Sequence, residues 1–287
     1  MIDLALSVFF SSLIFVIFKL FDVYKIQTLF AIITNYVVAC TVGLTLYQGP
    51  IRITSIPEKP WFWGAVVLGG LFIIVFNLMA ATAQKVGVSV ASVATKMSLV
   101  IPVLMGVLFY KEALGPLKVI GIFMALIAVY FTSIKTSTGE MQKTSLTLPI
   151  LVFLGSGLID VSLNYFRDSY ISKENFAVFS ATVFAAAAVI GLITIAVKSI
   201  KQPLKFNHRN IIGGICLGVP NFFSIYFLLR ALGSETLNSA TVFTLNNVSI
   251  VLLSTLVGIA LFKEKLIPKN WLGIGLAIVS IILIAFF

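Results

Sequence analysis

The chain has 287 residues, of which 60% are hydrophobic and only 10% are charged. A soluble domain carries about 25% charged residues, so this chain cannot clothe itself in polar surface and is read as a protein solvated by lipid. Its net charge of +10 sits almost wholly between apolar runs, where basic residues orient membrane proteins. Nucleic acid is therefore not an expected partner.

A crossing helix needs about 20 mostly apolar residues. In chain order that rule predicts ten spans. The first five run roughly over 4–21, 27–47, 61–82, 87–110 and 116–134, and the second five over 147–167, 175–197, 210–232, 238–262 and 270–287. Met1-Ile2-Asp3 lacks a basic start and the first apolar run leads straight into another, so no cleavable signal peptide is expected. Trp61, Trp63 and Trp271 stand at the starts of spans, as interfacial anchors do. The short connections hold turn formers such as Gln48-Gly49-Pro50. The longest polar stretch, Lys135 to Ser145, falls near the midpoint.

The second half echoes the first. Lys111 and Lys263, Glu112 and Glu264, Leu114 and Leu266, and Pro116 and Pro268 are each 152 residues apart. So are Gly106 and Gly258, Gly121 and Gly273, and Ala125 and Ala277. Seven identities at one offset mark an internal repeat, with units 1–138 and 146–287 and a linker at 139–145. Five spans per unit is odd, so the second unit enters the membrane upside down. The expected fold is an all-α integral membrane protein of two inverted five-helix repeats, an arrangement that in secondary transporters places the substrate near the midplane between the halves.

Two ionisable residues interrupt the apolar spans: Lys96 in the fourth and Asp160 in the sixth. Each costs roughly 2.5–3.5 kcal/mol at a helix centre on insertion scales, so each should face the interior, find a partner and mark function. Ser89, Ser92 and Lys96 share a helix face by their spacing, as do Ser156, Asp160, Asn164 and Arg167, and also Asn246 and Ser249. Asn246 lies 150 residues after Lys96, at a matching depth of the second half. Asn77 in the third span and Asn221, beside Pro220, in the eighth are further cavity-lining candidates, and Pro220 removes a rung of its helix ladder. Pro102 should kink the fourth span a turn and a half beyond Lys96. The alternative for Lys96 and Asp160 is that they simply pair and hold the bundle together. The Lys-Glu pairs at 111–112 and 263–264 read as helix-end and loop structure.

The segments FYKEALGPLKVIGIFMALIAV and LFKEKLIPKNWLGIGLAIVSI resemble the EamA-type repeat of the drug/metabolite transporter superfamily. Pro102 and Glu112 match that repeat in the first half and Glu264 in the second, where Ser254 stands at the proline position. The resemblance implies a carrier of small metabolites or drugs with both termini in the cytoplasm. Loop charge points the other way: twelve Lys and Arg follow odd-numbered spans and seven follow even-numbered ones. The small multidrug relatives use a membrane-embedded Glu in the first span, and this first span has only Asp3 at its mouth, with Ser11 and Ser12 along its polar face.

The favoured function is a secondary transporter of a small polar metabolite in the plasma or inner membrane, working by alternating access. Lys96 would bind a carboxylate and Asp160 an ammonium group or a coupling proton, so an amino acid or similar zwitterion suits both. Ser92, Asn77, Asn164, Asn221 and Asn246 complete the expected site. An exporter of cationic drugs centred on Asp160 and a lipid-directed flippase are the alternatives. An enzyme is not expected: His208 is the single histidine, Cys40 and Cys216 lack metal spacing, and no GxxxxGK[ST] loop is present. No metal or cofactor is implied, and a monomer or homodimer fits.

Overall fold

The computed structural model describes residues 1–45, 53–110, 115–134, 144–171, 175–201, 207–232 and 239–286. Among these described residues eleven α-helices follow one another: α1 (Ile2–Val23), α2 (Thr28–Thr45), α3 (Phe62–Lys85), α4 (Val88–Met97), α5 (Val100–Tyr110), α6 (Pro116–Ser133), α7 (Thr144–Tyr170), α8 (Phe176–Lys201), α9 (His208–Leu232), α10 (Ser239–Phe262) and α11 (Pro268–Phe286). With α4 and α5 taken as one crossing, Val88–Leu108, ten are long and apolar enough to span a membrane. Helices suit this medium because each satisfies its own backbone polar groups where no water can.

The packing is that of two related halves. Helix α1 lies on α9 and α10, and correspondingly α7 lies on α3 and on α4–α5. Helix α2 pairs with α9 as α8 pairs with α3, whereas α2 with α8 and α6 with α11 pair across the axis itself. Exchanging α1 to α6 with α7 to α11 reproduces this pattern. The α6–α11 contact shows the symmetry residue by residue. A Cβ on Gly121 would press on Leu283 and Ile284, and one on Gly273 would press on Phe131 and Thr132. Adding 152 to 121, 131 and 132 gives 273, 283 and 284, so the contact is reciprocal, and the start of each helix meets the end of the other. The helices are antiparallel, as inverted repeats require.

Lipid is as apolar as leucine, so helices in a bilayer associate through close packing and interhelical hydrogen bonds. Both devices tie these halves together. Gly214 approaches Thr34 and Gly218 approaches Val38 so closely that a Cβ would stand 2.3 and 2.8 Å from their side chains. Gln27 and Asn210 exchange hydrogen bonds at 2.9 and 3.2 Å. The largest apolar cluster joins Phe18, Phe21, Tyr36, Phe76 and Phe184 from α1, α2, α3 and α8.

Two expectations need correction. The fourth span is broken rather than kinked: α4 ends at Met97, Ser98 and Leu99 form a turn, and α5 begins at Val100. The cause is Pro102, which has no N–H to give to the Ser98 carbonyl and whose ring crowds it. Ile101 donates to that carbonyl instead, at 2.9 Å. The break therefore lies beside Lys96 and not a turn and a half beyond it. Trp61 is no interfacial anchor either. It is 3% exposed and packs edge-on against Phe179 at 5.4 Å, while Trp63 and Trp271 are exposed.

Candidate functional site at the broken fourth span

Lys96 sits in the last turn of α4, where the carbonyls at a helix C-terminus favour a cation. Asp160 approaches this end from α7 through Ser98, so that Lys96 and Asp160 are opposite charges carried on packed helices. They form no direct ion pair within 4.0 Å. Ser98, the C-cap residue of α4, links the two helices: its Oγ is 3.1 Å from Asp160 Oδ2 and 2.6 Å from the Thr95 carbonyl oxygen. One hydroxyl proton serves one of these acceptors at a time. Lys96, Asp160 and Asn164 are all half-buried. Asn164 lies one turn beyond Asp160 on α7, on the same face. Asn77 is also half-buried, on α3, which packs against both α4 and α7. Its amide donates to the Ile73 carbonyl of its own helix at 2.7 Å, leaving its carbonyl oxygen as an acceptor.

The other three sequence candidates are buried and engaged between the halves. The Ser92 hydroxyl meets Ser254 Oγ of α10 at 2.6 Å. Asn246 Oδ1 lies 3.0 Å from Ser7 Oγ of α1, a hydroxyl that also lies 2.9 Å from the Ser224 carbonyl. Asn221 donates to Asn35 Oδ1 of α2 at 3.1 Å. The chain thus places Lys96, Asp160, Asn164 and Asn77 around α3, α4 and α7, and Ser92, Asn221 and Asn246 in polar bridges elsewhere in the bundle. Pro220 lies within a continuous α9.

Sequence reasoning missed Ser98, Ser7, Asn35 and the role of Glu264. The Glu264 carboxylate accepts hydrogen bonds from the backbone N–H of Val88 at 2.5 Å, from Ser89 Oγ at 2.7 Å and from the Ser89 N–H at 3.4 Å. Those N–H groups belong to the first turn of α4, which has no partner within its own helix, and the N-cap, Gly87, has no side chain to offer. A carboxylate in this place is worth up to about 2 kcal/mol in a partly buried geometry. The signal was present in the sequence: Gly106 precedes Glu112, and Gly258 precedes Glu264, by six residues in each half. Glu112 itself, with Lys111, lies outside the described residues.

No group of three or more His, Cys, Asp or Glu able to hold a metal occurs among the described residues. What the arrangement offers is an ammonium group able to bind an anion and a carboxylate able to bind a cation, set at a helix break. Broken helices at the midplane are where transporters hold polar cargo.

Comparisons with known proteins speak to the family. Residues 1–134 match the model of the EamA-like transporter family. An uncharacterized protein of Haemophilus influenzae is 30% identical over 254 residues, covering 85% of this chain and 84% of that one. The chain belongs to the EamA-like transporter family. It is a multi-pass membrane protein that carries a small molecule, and not an enzyme. A crystal structure of a protein 16% identical to it superposes with a TM-score of 0.58 over 96% of this chain and 95% of the other, a likeness that speaks to the fold alone.

Proposed function

We propose that this chain is a secondary carrier for an amino acid or similar zwitterion, moved by alternating access between its two halves. The observation that carries this reading is the pair Lys96 and Asp160: opposite charges at one helix break, half-buried and not joined in an ion pair. Charges held apart in a low-dielectric interior are compensated poorly, and a ligand bearing both a carboxylate and an ammonium group compensates both at once. Lys96 takes the carboxylate, Asp160 the ammonium group, and Asn164 and the free acceptor of Asn77 take further hydrogen bonds. When no cargo is bound, a proton on Asp160 serves as the coupling ion. The plasma or inner membrane is the place for such a carrier. Uptake into proteoliposomes tests the reading: Lys96→Met and Asp160→Asn, each inserted and cooperatively folded, should lose transport, and normal rates in both would refute it.

A lipid-directed reading draws on a separate feature. An apolar groove of about 380 Å³ lies between α3 and α7, lined by Trp63, Val67, Leu71, Leu158, Ser162 and Phe166. A lateral opening of that kind suits an acyl chain. If vesicles containing the protein scramble a fluorescent phospholipid and transport no zwitterion, this second reading replaces the first.

A further inference from the structure

The two ends of the broken fourth span differ in burial. Every residue of α4 from Val88 to Ala94 is buried, and α4 touches α1, α3, α6, α7, α10 and α11. From Ile101 to Leu108, α5 has no buried residue, and its substantial packing is against α7. A helix seated in a bundle has at least one buried face, so α5 stands away from the bundle on more than its lipid side. The site at Lys96 is therefore covered at the α4 end of the molecule and less so at the α5 end.

One acidic side chain from the other half holds the covered end. Lys263, with a φ of 51°, turns the chain back after α10, and the Glu264 N–H donates to the Gly258 carbonyl at 3.1 Å. The carboxylate then lies between Gly258 of the second half and Gly87 of the first. A Cβ on Gly258 would stand 2.7 Å from Glu264 Oε2, and one on Gly87 would stand 3.1 Å from Oε1. Gly87 has a φ of 150°, which a side chain would strain. Both halves thus lack a side chain where this carboxylate passes, and all three of its donors are on α4.

We propose that Glu264 is an inter-half latch: bound to the first turn of α4 it keeps one end of the transport path shut, and transport requires its release. Release is feasible because the bonds are few and all from one short helix, which has the α4–α5 break as its hinge. This rests on the alternating-access reading above, but its test needs no substrate and stands whether or not a zwitterion is the cargo.

The test is thiol labelling from one side of the membrane. The background replaces Cys40 and Cys216 by serine, and the reporter is Val90→Cys, near-isosteric, buried and in the same first turn of α4 as the latch. In oriented vesicles, a membrane-impermeant maleimide applied from the Glu264 side should react slowly, and Glu264→Gln should speed that reaction at least tenfold. Labelling from the opposite side should stay the same or slow. Ser89→Ala, which removes one donor and keeps the carboxylate, should give a smaller acceleration of the same sidedness and supplies the test if Glu264→Gln fails to fold. A mere structural cap would lower the melting temperature without changing labelling. That result, or equal acceleration from both sides, overturns the latch.

Discussion

The fourth and ninth spans descend from one repeat, yet they have become different devices. The fourth carries Pro102, breaks at Ser98–Leu99 and leaves Lys96 half-buried beside Asp160. The ninth has Ser254 where the repeat offset puts that proline, runs unbroken from Ser239 to Phe262, and buries Asn246 against Ser7. Ser254 uses the position to bridge to Ser92 of the fourth span at 2.6 Å. An imino acid and a hydroxyl at matching positions thus separate a broken span that carries a charge from an unbroken one that carries buried polar bridges. On the proposed function, the cargo is held where the two halves differ.

The comparison can be broken at its charged end first. Lys96→Met should weaken substrate binding by about 10- to 150-fold, since hydrogen bonds to charged groups contribute about 1.5–3 kcal/mol. Asp160→Asn should do the same, and equilibrium binding to the purified variants measures both. Pro102→Ala comes next. It restores the N–H that the fourth span lacks, so the helix should heal, stability should hold or rise by up to about 3 kcal/mol, and uptake should fall severalfold while the melting temperature holds or rises. Asn246→Ala tests the ninth span. It should cost about 1–3 kcal/mol by stranding buried partners and should raise KM far less than Lys96→Met. Ser98→Ala is the smallest change, leaving Asp160 in place without its hydroxyl neighbour. A rise in KM of about fivefold is expected, consistent with a net bond of about 1 kcal/mol, and Ser98→Thr should restore it.

The spans and the doubled architecture were legible in the sequence because lipid imposes simple demands: length, apolarity and a repeated pattern at one offset. The charged candidates were legible for the same reason, since Lys96 and Asp160 are expensive in apolar runs. Which polar residues meet was not. Ser7 and Asn246 are 239 positions apart, and Asn35 and Asn221 are 186 apart, and no helical periodicity reports on pairings between helices. The break beside Lys96 was half visible: Pro102 gave its existence, but the clash falls four residues earlier, on the Ser98 carbonyl. Glu264 was misjudged as local loop structure because its donors lie about 175 residues away at α4. Trp61 shows the limit of residue-type rules, because a tryptophan at a span start is equally suited to the core beneath α8.

The central claim is that the broken fourth span binds the cargo, and ligand-induced thermal stabilisation of the purified protein tests it most directly. Amino acids, sugars, nucleosides and cationic drugs should be compared on the parent protein and on Lys96→Met. A ligand present at about 100 times its dissociation constant stabilises by roughly 2.7 kcal/mol. The account predicts stabilisation by a zwitterion that disappears in Lys96→Met. Undiminished stabilisation in Lys96→Met, or stabilisation by lipophilic cations alone, would contradict it.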